Sequence, residues 1–337
     1  MKIGIAYDLK AVGQIRPDLP DELQEEYDSP ATIEAIAGAL RRLGNQVIYL
    51  ADGREFLDKI LTQPPDFVFN IAEGQGVGRS REARVPAALE MLGVPYTGSD
   101  PLTLAVTLDK DCAKRLVVSA GVAVPAGFLL ADTQLPSALT DLQFPVIVKP
   151  AWEGSSKGIR SKSLVDHPQQ LGHVVESLRH DHQQPILAEE YIEGDELTVG
   201  VVGNAPPRPI GTMRVLPRQS GERFIYSLEV KRDWENRVRY EVPARLSAAD
   251  NLAVTHAALA AYRVLGCRDV ARLDFRLRDG VPYFLEANPL PGLNPDYSDL
   301  VILARLSGWT YDRLIETILQ AAIDRQPAVK VAASVIP

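Results

Sequence analysis

The stretch Ala271-Arg-Leu-Asp-Phe-Arg-Leu-Arg-Asp-Gly-Val-Pro-Tyr-Phe-Leu-Glu-Ala-Asn288 leaves little choice of local fold. Ala271, Leu273, Phe275 and Leu277 alternate with Arg272, Asp274, Arg276 and Arg278. Period two marks a half-buried strand. Past Asp279-Gly280, Glu286 and Asn288 stand two apart and share a face. Register decides whether Asp274 joins them. A two-residue Asp279-Gly280 turn with an unbroken ladder puts Asp274 and Glu286 on opposite faces. A three-residue loop, Arg278-Asp279-Gly280 with Gly280 left-handed, sets Asp274 opposite Phe284 and Arg272 opposite Glu286. That loop, or a bulge, gathers all the polar groups on one side. Two carboxylates and an amide oxygen there make a hard-oxygen site suited to Mg²⁺ holding a nucleotide's phosphates. An amphipathic hairpin with one solvated face fits the same alternation, and the hairpin alone does not separate the two.

At 337 residues the chain has room for a full core and two or three domains. A net charge of −8 argues against general affinity for nucleic acid or anionic membrane, so phosphate binding requires local cations. Cys112 and Cys267 are far apart and carry no motif, which reads as free thiols in a reducing cytosol. The N-terminus shows no signal-peptide core and no segment has transmembrane length, so a cytoplasmic protein is expected.

Lys2–Tyr7 reads as a first strand, and residues 9–28, rich in Pro, Asp and Glu, as a long exposed loop. Ser29-Pro30 then starts a helix that stops at Gly44. Gln46–Leu50 and Asp66–Ile71 follow as buried parallel strands. This βαβ order predicts an α/β chain with a Rossmann-like domain over 1–100, although no GxGxxG follows the first strand. Further along, helices are expected at Asp109–Ala120, Ala248–Leu265 and Thr310–Ile323, and a strand at Pro145–Lys149. The tail 326–337 has no clear pattern.

Phe144-Pro-Val-Ile-Val-Lys-Pro-Ala-Trp-Glu-Gly-Ser-Ser-Lys-Gly158 places a lysine at a strand end before a loop of small residues. Lys149 at such a site can reach into a cleft, and the loop's backbone N–H groups can form an anion nest. A lone lysine there is more often a surface charge, and a lone loop of this kind is moderate support.

With Ile186-Leu-Ala-Glu-Glu-Tyr-Ile-Glu-Gly-Asp-Glu196 and the pair Pro95-Tyr-Thr-Gly-Ser99 and Leu108-Asp-Lys110, these segments resemble the ATP-grasp ligases, specifically the D-alanine–D-alanine ligase family, over roughly residues 66–320. The resemblance implies an ATP-grasp fold behind a Rossmann-like N-terminal (pre-ATP-grasp) domain. It divides the remainder into a first ATP-grasp subdomain at 101–190 and a second at 191–325. It implies ATP and Mg²⁺ as cofactors, with two metal ions and Mn²⁺ as a substitute, and Asp274, Glu286 and Asn288 as metal ligands. Lys110, Lys149, Glu153, Gly154, Ser155, Ser156 and Gly158 would hold phosphates. Backbone groups of Tyr191 and Ile192 would meet the adenine edge, Glu189 its amino group and Glu196 the ribose, with Leu285 and Tyr191 sandwiching the ring. Lys157 is a further cation in the loop or a solvated one. Arg272, Lys231, Gly292 and Ser155 would form the reaction centre, where a carboxylate becomes an acyl phosphate and an amine attacks it. Expected partners are small amino-acid or peptide substrates and a second copy of the chain, with neither nucleic acid nor membrane.

The chain departs from the family around the amino acids. The family's N-terminal glutamate segment has no recognisable counterpart in Asp8–Asp28. Its His-Gly segment is replaced by Asn70-Ile-Ala-Glu-Gly-Gln-Gly-Val-Gly-Arg-Ser-Arg-Glu82, and the serine–leucine pair after Pro-Gly aligns with Tyr297-Ser298. The lid tyrosine aligns with Arg232. Glu73, Arg79, Arg81 and Glu82 read either as a substrate pocket or as a charged surface loop. The expectation is a ligase with altered amino-acid sites. Its rivals are a literal D-alanine–D-alanine ligase and a non-catalytic nucleotide-binding regulatory protein.

Overall fold

The computed structural model describes residues 1–10, 20–131, 142–219 and 223–326. Most of the tail, and the middle of the loop at 9–28, lie outside them. Three sheets follow one another along the chain. The first is parallel, in the order β2-β1-β3, from β1 (Lys2–Ala6), β2 (Gln46–Ala51) and β3 (Phe67–Asn70). The helices Pro30–Arg42 and Gly53–Thr62 make its crossovers. The first starts where the sequence places it, because the Ser29 hydroxyl accepts the Thr32 N–H at 3.2 Å and Pro30 occupies the first turn.

The second sheet is antiparallel, in the order β4-β7-β5-β6: β4 (Gly127–Leu130), β5 (Val146–Pro150), β6 (Leu164–Val165) and β7 (Ile186–Glu190). The third has the order β10-β9-β8-β11-β12: β8 (Asp195–Val202), β9 (Arg208–Pro217), β10 (Val238–Glu241), β11 (Val270–Arg278) and β12 (Val281–Asn288). The helix Ala248–Val264 packs Val254, Ala258, Ala261 and Tyr262 on Leu197, Val199, Leu273 and Phe275. Each such buried side chain contributes roughly 1.5–3 kcal/mol. That burial fixes the apolar face of the hairpin and leaves Arg272 and Asp274 on the other. Buried Asp269 links the hairpin's start to the N-terminal sheet by accepting from the Gly98 N–H at 2.8 Å and pairing with Arg325 at 3.0 Å. Among the described residues no helix is long and apolar enough to cross a membrane.

Candidate active site

The hairpin achieves its polar face by the second of the two routes, not by a three-residue loop. Asp279 and Gly280 are both left-handed (φ 51° and 77°), and Arg278 pairs with Val281 across a two-residue turn. Phe275 pairs with Phe284 but Asp274 with Glu286, so Leu285 is the extra residue of a β-bulge. Arg272 therefore faces Asn288, not Glu286. The bulge turns Glu286 onto the face of Asp274.

Two carboxylates held opposite each other need positive charge. Arg272 donates to Asp274 at 2.9 Å and lies 3.6 Å from Glu286, and Lys110 lies 3.2 Å from Glu286. The Asn288 amide sits 3.4 Å from both acids. Burial raises the Asp274 carboxyl above its ordinary range, with Glu286 adding to the shift against Arg272. Burial opposes ionisation of Glu286 too, but Lys110, Arg272, Lys231 and Lys149 hold it well below the usual carboxylate range. Asp274, Glu286 and the Asn288 amide oxygen are hard ligands of the kind that would hold a Mg²⁺ ion.

On one side of this pair lies a cavity lined by Lys149, Tyr191, Ile192, Glu196, Lys231 and Leu285, with Ser156 and Glu189 also in its wall. Lys149 donates to Glu189 at 2.6 Å. The other Glu189 oxygen accepts from Lys114, a residue the sequence reading missed. Lys114 stands four residues after Lys110 on the helix Lys110–Ser119, so helical spacing was its only available signal. Burial pushes Lys114 down to about 8 although Glu189 opposes the shift. Glu189 is thus held between two lysines, as well as lining the cavity. Tyr191 donates to the Phe224 carbonyl at 2.9 Å, and Glu196 pairs with Arg276 at 2.7 Å.

The loop after β5 is a strained nest. Ser155 and Ser156 are left-handed (φ 49° and 60°), as is Gly158 (φ 73°). Left-handed non-glycine residues cost on the order of 1–3 kcal/mol each and cluster at ligand clamps. Acids from the N-terminal segment hold this loop, so residues 20–28 are not the exposed loop expected. Glu26 accepts the Gly154 N–H, and Glu22 accepts the Gly158 N–H at 2.8 Å. Lys157 is neither solvated nor free for phosphate: it is buried and paired with Glu26 at 3.1 Å and with Glu153. The Glu153 side chain also accepts from Gln184 at 2.7 Å and so braces the loop rather than entering the Lys149 cavity. Arg232 reaches Glu25 at 3.0 Å and Asp21 at 2.5 Å, tying the lid position to the same segment.

On the other side of the metal pair lies a second cavity, lined by Ser155, Arg272, Gly292, Glu26, Glu73 and Glu82 among others. Glu26, an acid of the N-terminal segment that the sequence reading did not single out, lines this cavity. Its side chain is 4% exposed. Burial would raise its carboxyl, but Arg81, Lys157 and the Gly154 N–H outweigh that and hold it at about 2. Of the residues expected around the amino acids, Glu73 and Glu82 line the cavity, whereas Arg79, Arg81, Tyr297 and Ser298 do not. Arg81, 1% exposed, is a brace: it holds Glu26 at 2.8 Å, Glu153 at 3.3 Å and the Trp152 carbonyl at 2.7 Å. Tyr297 is 48% exposed and outside the lining. The Ser298 hydroxyl accepts the Asn294 N–H at 2.9 Å and packs beneath Gly292, where an added Cβ would meet it at 2.9 Å. Two cavities joined at a pair of acids, one with lysines and a nest, is an arrangement for phosphoryl transfer between two ligands.

Residues 124–320 match the family described as the D-ala D-ala ligase C-terminus. A D-alanine–D-alanine ligase of Cupriavidus metallidurans is 32% identical over 328 residues, covering 95% of each chain. The chain belongs to the D-alanine–D-alanine ligase family. It is accordingly an ATP-dependent ligase that forms a C–N bond, with ATP and Mg²⁺ as cofactors. An uncharacterised protein of Sinorhizobium fredii is 35% identical over 305 residues, 86% of each chain. The fold matches the D-alanine–D-alanine ligase of Bacillus anthracis in complex with ATP (TM-score 0.74, 23% identity, 98% of this chain and 99% of that one). It also matches the VanG D-Ala:D-Ser ligase of Enterococcus faecalis (TM-score 0.70, 20% identity, 95% and 99%). The architecture is thus ATP-grasp behind a Rossmann-like N-terminal sheet.

Proposed function

We propose that this ligase forms a peptide or amide bond through an acyl phosphate, with amino-acid sites remodelled away from D-alanine. The supporting observation is that Glu286 lines both cavities. A phosphoryl group leaving the Lys149 cavity passes over the Asp274/Glu286 pair to a carboxylate lying against Arg272. Bound Mg²⁺ would screen the phosphate charge there. Lys110, Lys149, Lys231 and the nest at Ser155 and Ser156 grip the phosphates, while Gly154 and Gly158, whose N–H groups are held by Glu26 and Glu22, shape the loop. Backbone groups of Tyr191 and Ile192, with Glu189, take the adenine edge; Leu285 packs on the ring and Glu196 holds the ribose. Arg272 and the Gly292 N–H receive the developing oxyanion.

The remodelling reading rests on Glu73 where the family has histidine, and on Tyr297 turned outward. Each buried polar group left unpaired costs roughly 1–3 kcal/mol, so D-alanine should be used poorly. D-alanyl-D-alanine as literal product is the second reading, favoured by similarity to D-alanine–D-alanine ligases at 32–36% identity. Steady-state kinetics with D-alanine as sole amino acid separate them. A kcat/KM of about 10⁴ M⁻¹s⁻¹ or more establishes the second reading.

A further inference from the structure

Charge pairing in the second cavity does not close. Arg81 and Lys157 face Glu26 and Glu153. Lys110 and Arg272 face Glu286 and Asp274. Glu73 and Glu82 are left over. Both line the cavity, and neither side chain makes a hydrogen bond or ion pair with any described residue. Glu82 is only 8% exposed, and Glu73 is partly buried. The two acids are also held near each other. Gly74 is left-handed and so tight against the Arg81 carbonyl that an added Cβ would lie 2.4 Å from it, which sets Glu73 beside the backbone of Arg81-Glu82.

Buried Glu82 beside partly buried Glu73, neither with a direct partner, favours a ligand that brings its own cations. A single α-ammonium group matches one of them. Building on the ligase reading, we infer that the cavity takes a diamino monocarboxylate, its two ammonium groups on Glu73 and Glu82 and its carboxylate towards Arg272 and the Gly292 N–H. Arg81 acts on both acids through space, but its direct contacts go to Glu26, Glu153 and the Trp152 carbonyl, and Glu26 anchors the loop through Gly154 and Lys157. The arrangement therefore selects for the ligand's charge while the braced network keeps the loop in place. The reaction that supplies this substrate must be one that leaves both amino groups free.

The test is ADP release, with mass analysis of products, for both enantiomers of 2,3-diaminopropionate, 2,4-diaminobutyrate, ornithine and lysine. Each is set beside its neutral counterpart: alanine, 2-aminobutyrate, norvaline and norleucine. At least one diamino acid should exceed its neutral counterpart by about tenfold or more in kcat/KM. Glu82→Gln and Glu73→Gln, checked for folding by thermal melting, should each lower that ratio by about tenfold. A merely structural glutamate would depress both substrates alike. Equal or better use of the neutral acids, or a ratio unmoved in every variant that folds, overturns the charge assignment and leaves the ligase reading standing. ATP binding with no ADP release for any amino acid overturns the ligase reading, and the charge assignment with it.

Discussion

The Lys149 cavity, proposed for the nucleotide, and the Glu73/Glu82 cavity, proposed for the amino acid, share one wall and were built differently. Lys149, the loop at 153–158, the hinge at 186–196 and the hairpin are each short, contiguous segments whose side-chain directions follow from strand alternation or turn geometry. The second cavity collects Glu26 and the Glu73–Glu82 loop from two N-terminal segments and sets them against Arg272 and Gly292, some two hundred residues on. Phosphate recognition needs a nest and a few cations, which a single segment can supply. Recognition of a particular amino acid needs groups converging from several directions, and sequence neighbours cannot provide that.

If the wall is shared, its common residue should matter most. Glu286→Gln should cut ligase turnover by at least about a hundredfold while the melting temperature stays near wild type, because a metal-bridging charge is lost and the fold is not. ADP release at millimolar Mg²⁺ and a melting curve on the same sample measure both. Near-normal turnover would remove the metal assignment and dissolve the link between the cavities.

A brace should differ from a lining residue. Arg81→Met leaves Glu26 and Glu153 without their shared guanidinium, and breaking a buried ion pair from one side costs roughly 3–5 kcal/mol. Denaturant unfolding should show that loss. A stable variant with changed amino-acid preference would instead return Arg81 to the substrate wall.

The unpaired acids predict a pH effect of smaller size. Burial, aided by Glu26 and opposed by Arg81, raises Glu82 to about 8. A carboxyl raised on folding stabilises the native state below its unfolded pKa, and that stability is lost as pH rises through the folded value. Melting temperature should therefore fall between about pH 5 and pH 8 through this group. Glu82→Gln should flatten the profile, and an unchanged slope would mean that Glu82 has a partner.

The smallest effect concerns the loop at 153–158. Its nest suits gating, and Glu22 and Glu26 already hold it at two backbone N–H groups. An ATP analogue should reduce protease cleavage there by a few-fold, and more strongly in Glu22→Gln. Equal cleavage with and without the analogue would argue against a phosphate lid.

Local pattern determined much of this protein. Alternation marked the hairpin strands, Ser29-Pro30 marked a helix start, and the lysine before the small-residue loop marked the phosphate nest. These signals survive because each depends on neighbours within a few residues. Tertiary structure alone decided three things. It chose a bulge at Leu285 over a longer loop, since packing of Phe275 on Phe284 fixes the register while Glu286 must turn to the metal face. It sent Arg81 into a brace and Lys157 into an ion pair, because only in the fold do Glu26 and Glu153 come within reach of both. It also left Glu73 and Glu82 without cations. Residue types specify which charges exist, but which of them meet depends on contacts between segments far apart in the chain, and those contacts set what the second cavity can hold.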